Sequence, residues 1–165
     1  MKKPIAIIAG EPNSISSEII FKTWKIKRRF KHKPFFIVGS FELLSLQKKE
    51  LGLPIKIIKI KKNFKHLDLK NDALPVYDIK YNQKKAFEKI SEKSNNYIFK
   101  CFNECLRLIE KKKIAGIINC PISKESLFKK KHQGIIEFLA NKIGKKNSEV
   151  MLLYSKDLSV SPITT

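Results

Sequence analysis

The chain has 165 residues, about one domain's worth, and is long enough to bury roughly 70% of the surface its unfolded form exposes. Its composition, 42% hydrophobic and 30% charged with six Gly and seven Pro, excludes a disordered tail, a collagen-like repeat and a flexible linker. A formal charge of +20, from 35 Lys plus Arg against 15 Asp plus Glu, makes nucleic acid a candidate partner, while no apolar run reaches the ~18 residues of a membrane span.

In chain order, Pro4 to Ala9 is a short apolar run ending at Gly10 and predicts a buried strand. Gly10 to Ser16 is a loop of Gly, Pro, Asn and Ser. Ser16 or Ser17 then caps a helix that is expected to run to about Phe30, with Glu18 favouring its positive end. Pro34 to Gly39 predicts a second buried strand. Ser40 caps the next helix, closed by Gly52. Pro54 to Ile60 alternates imperfectly and predicts a third strand near a sheet edge. Lys61 to Asn82 is irregular, with a short strand at Leu74 to Tyr77.

A long helix is expected from about Lys84 to Lys112. Phe87, Ile90, Tyr97, Ile98, Cys101, Phe102, Cys105, Leu108 and Ile109 fall on one helical stripe. Gly116 to Pro121 predicts another buried strand, and Ser123 a capped short helix. Ile135 to Ile143 predicts a helix closed by Gly144, and Val150 to Tyr154 and Leu158 to Ile163 two more strands. Strands alternating with helices imply βαβ units: an α/β fold with a largely parallel sheet between layers of flanking helices.

The charge carries less than its size suggests. Only Arg28, Arg29 and Arg107 are Arg, and Lys is spread over the whole length. Readers of bases and phosphates favour the bidentate fork of Arg, so nucleic-acid binding is disfavoured. Three cysteines, and no apolar stretch with a small-residue cleavage site near Met1, predict a reducing cytoplasm and no secretory signal.

The loop Gly10-Glu11-Pro12-Asn13-Ser14 sits at a strand-to-helix turn, where unpaired N–H groups can cradle an anion. It has one Gly where a dinucleotide fingerprint needs three, and it lacks a P-loop Lys-Ser/Thr. A capped connection is therefore preferred there. Lys124, after the strand ending in Asn119-Cys120-Pro121, reads equally as a partner for an anionic substrate or as a surface Lys on a Ser-capped helix. His32, His66 and His132 have no second ligand at metal-binding spacing. Cys101 and Cys105 read as buried small hydrophobes, and Cys120 has no general base near it in sequence.

Four segments in order resemble the 4-hydroxythreonine-4-phosphate dehydrogenases. Ile8-Ala9-Gly10-Glu11-Pro12-Asn13-Ser14-Ile15-Ser16-Ser17-Glu18 is similar to their opening Gly-Glu/Asp-Pro-Ala-Gly-Ile-Gly-Pro-Glu. Asn119-Cys120-Pro121-Ile122-Ser123-Lys124-Glu125 resembles their Thr-x-Pro-Ile-Asn-Lys-Glu. Gly134-Ile135-Ile136-Glu137-Phe138-Leu139-Ala140 resembles their Gly-His-Thr-Glu-Phe-Leu-Ala, and Met151-Leu152-Leu153 with Pro162-Ile163-Thr164-Thr165 resembles the approach to their Thr-Thr-His. The match spans this chain and the amino-terminal half of the family's length.

The resemblance implies an isocitrate/isopropylmalate-dehydrogenase-like fold, incomplete here, with a first lobe over about residues 1–115 and the start of a second over about 116–165. It implies an NAD-dependent oxidation of a phosphorylated small molecule, 4-phosphohydroxy-threonine, in pyridoxal 5′-phosphate biosynthesis. The secondary alcohol gives a hydride to NAD, and the β-keto acid decarboxylates. It also implies a divalent metal acting as Lewis acid, and a cytoplasmic homodimer.

Lys124 is the substrate-binding position that carries over, with Gly10, Glu11, Pro12 and Glu137 as signature positions. The family's substrate-binding His-Thr pair falls on Ile135 and Ile136, whose side chains form no hydrogen bonds. Its first metal-binding His would follow Thr165, and the metal ligands are expected to be absent from these residues. A truncated or divergent member, inactive alone, is the leading expectation. A non-catalytic α/β binding module and a Lys-rich nucleic-acid binder are the alternatives.

Overall fold

The structure, a computed structural model, describes residues 3–26, 34–69, 72–128 and 134–162. The expected helical stretch 27–30, with Arg28 and Arg29, lies outside them, as do His32, His132 and the closing Ile163-Thr164-Thr165. The chain divides into two compact units, Met1–Leu127 and Phe128–Thr165.

The first unit holds β1 (Ile5–Ile8), α1 (Ser16–Ile26), β2 (Phe35–Gly39), α2 (Phe41–Glu50), β3 (Ile57–Ile60), β4 (Leu74–Asp78), α3 (Asn95–Glu110) and β5 (Gly116–Asn119). The strands form one parallel sheet in the order β3-β4-β2-β1-β5. Parallel sheets need cover on both faces, which explains the continuous apolar runs of β1 and β2. Ile37, Leu74 and Val76 pack with Ile20, Phe21 and Trp24 of α1 and Leu44 of α2. The alternate residues turn the other way: the Tyr77 hydroxyl reaches Glu104 on α3. Helices therefore flank the sheet on both sides, as the α/β expectation requires.

Local signals account for most boundaries. Ser40 accepts a hydrogen bond from the Leu43 N–H at 3.3 Å and caps α2, and Gly52 takes a positive φ of 62° just beyond it. Pro75 has no N–H to give, and it sits where the β2–β4 ladder is only about to begin, at Ile37↔Val76. The third strand lies at a sheet edge, as its imperfect alternation suggested.

Three expectations need correction. The helix expected from Lys84 begins at Asn95, after a short 3-10 turn over Glu92–Ser94. Residues 84–91 are held by tertiary hydrogen bonds instead: the Glu88 N–H donates to Asn13 Oδ1 at 2.8 Å, and Ala86 O accepts from Gln47 Nε2 at 3.0 Å. Phe87 is only half-buried, and Ile90 and Ile109 are exposed, off the buried stripe of α3. The strand expected to be buried at 116–121 is β5, an edge strand whose Ile118 is 50% exposed. Among the described residues it pairs with one strand, β1.

The second unit holds α5 (Ile135–Lys142) and a two-stranded antiparallel ribbon, β6 (Leu153–Tyr154) with β7 (Ser159–Val160). The short helix α4 (Lys124–Phe128) spans the division between the units. Gly144, at φ 69°, closes α5 as expected. The last two strands shrink to two residues each, because both ribbon strands are exposed and no third strand among the described residues extends the ladder.

Candidate functional site

Open parallel sheets bind ligands beyond the carboxyl ends of their strands, where the strand order reverses. The reversal here is at β1. The chain leaves β1 for β2 on one side, while β4 returns through α3 to β5 on the other. The loop that follows β1 and the segment that follows β5 therefore meet.

Their meeting is a backbone contact. Gly10 has φ 77°, and a Cβ built on it would stand 2.4 Å from the Pro121 carbonyl oxygen. Only Gly tolerates that approach and that conformation. The same carbonyl accepts from the Glu11 N–H at 2.9 Å and from Ser16 Oγ at 3.2 Å. Two segments more than a hundred residues apart are thus locked together at one oxygen.

Glu11 is 1% exposed. A carboxylate there needs donors, and it has them: Ser94 Oγ at 2.8 Å and the Asn13 N–H at 3.3 Å. Ser94 immediately precedes α3, so the signature loop fixes where that helix starts. The Pro12 carbonyl accepts from Nε2 of the buried Gln47 of α2 at 2.6 Å. Asn13 Oδ1 accepts from Gln83 Nε2 at 2.9 Å besides the Glu88 N–H. The buried Tyr97 hydroxyl accepts from the Ser40 N–H at 2.9 Å, and its ring stacks on Tyr81 at 4.8 Å. Burial holds the Tyr97 hydroxyl pKa well above its ordinary value, and burial followed by the Glu11 and Glu88 charges raises that of Tyr81.

Ser123 caps α4, accepting from the Ser126 N–H at 3.2 Å, and Asn95 Nδ2 donates to Ser126 O at 2.7 Å. Lys124 is the exposed first residue of α4. Asn119 Oδ1, at the end of β5, is shielded from solvent and accepts no hydrogen bond from the described residues. Burial pushes the Cys120 thiol up to about 11, so it is protonated and a poor nucleophile near neutral pH. In the second unit, Ile135 and Ile136 occupy the first turn of α5, half-buried and 36% exposed respectively. The Glu137 carboxylate stands over Gly134, where a Cβ would lie 2.8 Å from Oε2.

The signature loop does not fit the dinucleotide that the resemblance implies. Ser14 Oγ accepts from the Ser16 N–H at 3.2 Å at the start of α1, the open side of Gly10 is filled by Pro121, and a buried carboxylate stands beside both. A dinucleotide's diphosphate finds no cradle in that loop. No three His, Cys, Asp or Glu side chains gather for a metal among the described residues.

Sequence reasoning marked Gly10, Glu11, Pro12 and Lys124. It missed Gln47, Gln83 and Ser94, which hold the loop, and Tyr97, which holds Ser40. Their contacts with it or with Ser40 are separated by 35 to 83 residues, beyond any local pattern.

Comparison with known proteins identifies the arrangement. The family model for "Pyridoxal phosphate biosynthetic protein PdxA" matches residues 31–165. A 4-hydroxythreonine-4-phosphate dehydrogenase of Zymomonas mobilis is 26% identical over 98% of this chain and 48% of its own length. One from Erythrobacter litoralis is 28% identical over 99% and 49%. The crystal structure of a 4-hydroxythreonine-4-phosphate dehydrogenase from Burkholderia phymatum superposes with a TM-score of 0.82 at 19% identity, covering 98% of this chain and 49% of that one. One from Klebsiella pneumoniae gives 0.75 at 20%, covering 97% and 50%. At those identities the solved structures establish the fold. The chain spans about half the length of the curated relatives it matches, and the comparisons favour neither the nucleic-acid reading nor the non-catalytic module. With the family model covering most of its length, the chain belongs to the pyridoxal phosphate biosynthetic protein PdxA family.

Proposed function

We propose that these residues form the amino-terminal part of an NAD-dependent 4-hydroxythreonine-4-phosphate dehydrogenase, and that turnover needs further residues to supply the metal ligands and the dinucleotide site. The observation that carries this reading is the match to the family over residues 31–165, joined to the docking of two of its signature segments, Gly10-Glu11 on Pro121. Within such an enzyme the loop would be scaffolding: it fixes the start of α3 through Ser94 and sets α4, with Lys124 on its exposed first turn, beside the crevice. Lys124 would meet the anionic substrate as a point charge. Ile135 and Ile136 cannot bind phosphate or hydroxyl groups through their side chains, so the polar contacts of the family's His-Thr pair would be lost at these positions.

A cytoplasmic setting agrees with three free, buried cysteines, and no helix among the described residues is long and apolar enough to cross a membrane. Homodimerisation is proposed on the resemblance alone. The test is a chimera that joins this chain to the carboxyl-terminal half of the Zymomonas mobilis relative, assayed for NADH with 4-phosphohydroxy-threonine. Substrate-dependent NADH supports the proposal. Activity that appears only in an Ile135→His/Ile136→Thr chimera makes the native chain a non-catalytic member, and no activity in either defeats the assignment.

A further inference from the structure

A cavity lies away from the signature loop, between the carboxyl ends of β3 and β4 and one face of α3. Its volume is about 690 Å³. Lys100, Asn103, Glu104 and Arg107 repeat at helical spacing along α3 and line it, facing Lys62 beyond β3 and Tyr77 to Lys80 at the end of β4.

Its two carboxylates are already engaged. Asp78 accepts from the Phe41 N–H at 2.9 Å and pairs with Lys59 at 3.0 Å. Glu104 accepts from Arg107 Nε at 3.0 Å and from its terminal nitrogen at 2.5 Å, and also from the Tyr77 hydroxyl. Such a fork-to-carboxylate pair fixes the floor of the cavity. Lys62, Lys80 and Lys100 stand around it, exposed, and the charge of Lys62, after the Arg107 hydrogen bond, helps lower the Glu104 pKa. A single phosphate between hydrated lysines gains little, whereas a linked pair of phosphates engages several at once. The volume suits a small phosphorylated molecule.

We propose that this cavity binds a di- or triphosphate group through Lys62, Lys80 and Lys100 above the Tyr77–Glu104–Arg107 floor. The inference stands apart from the dehydrogenase reading, since it uses none of the signature residues.

Titration calorimetry of the chain with inorganic pyrophosphate, and separately with ADP, tests it at low salt. The double variant Lys80→Glu/Lys100→Glu is compared with Lys145→Glu/Lys146→Glu, the same charge change on exposed residues of the second unit. Circular dichroism checks that both variants melt like the parent. We expect the first to weaken pyrophosphate by about tenfold or more and the second by less than about twofold. Equal affinity for pyrophosphate and ADP identifies the phosphates alone as the ligand, and tighter ADP adds the nucleoside. Equal weakening by the two variants, no binding by the parent, or binding of single-stranded RNA without pyrophosphate would each overturn the proposal.

Discussion

Replacing Gly10 with alanine probes the contact on which the loop's placement depends. The new Cβ would stand 2.4 Å from Pro121 O and 3.0 Å from both Cys120 C and Cys120 O, all of them backbone atoms that cannot rotate away. Holding a non-Gly residue at φ 77° costs roughly 1–2 kcal/mol. Forcing the β5 connection outward adds about 1–3 kcal/mol, as overpacking does. Gly52→Ala is the control, because it carries the same kind of backbone strain at φ 62° with nothing within 4 Å of the added carbon. Gly10→Ala should therefore lose about 3 kcal/mol and Gly52→Ala about 1 kcal/mol. At about 2–4 °C per kcal/mol, thermal melts should fall by about 6–12 °C and about 2–4 °C respectively. Equal losses would refute the close approach, since strain alone would then explain both.

Tyr97→Phe leaves the buried Ser40 N–H without its acceptor and should cost about 1–3 kcal/mol in urea unfolding, against little change for Tyr154→Phe at an exposed position. Burial, then Glu104, pushes the Tyr77 hydroxyl up to about 12, and burial takes the Cys105 thiol to about 12 and Cys120 to about 11. These groups keep their protons in the fold after the unfolded chain has lost them. Their stabilisation is complete below about pH 9 and drains away up to about pH 12. The urea midpoint should fall over that range, and Tyr77→Phe should flatten its upper part; a level midpoint contradicts the reasoning. Dialysis against zinc or magnesium followed by elemental analysis should find less than one tightly held ion per chain, since no donor set is gathered among the described residues.

The strands and capped helices of the first unit were legible because their signals are local. The run Pro4 to Ala9 stops at a Gly, Ser40 precedes the apolar spacing of α2, and Gly52 follows that helix. The beginning of α3 was not, although Phe87 and Ile90 fit the helical period. What keeps residues 84–91 out of the helix is pairing with Asn13 and Gln47, which no periodicity encodes. The exposure of β5 was hidden for a related reason: Ile117 and Ile118 read as buried, and only the sheet order shows that nothing among the described residues pairs beyond them. At the site, Gly10 stood out by residue type and position, but its reason, the Pro121 carbonyl, lies over a hundred residues away.

The most direct measurement is NADH formation at 340 nm by this 165-residue chain with NAD, 4-phosphohydroxy-threonine and a divalent metal. The rate should equal that of a mixture without protein, because no metal donor set gathers among the described residues and the Gly10 loop gives a dinucleotide's diphosphate no cradle. A steady, substrate-dependent rise proportional to protein concentration would contradict that outright.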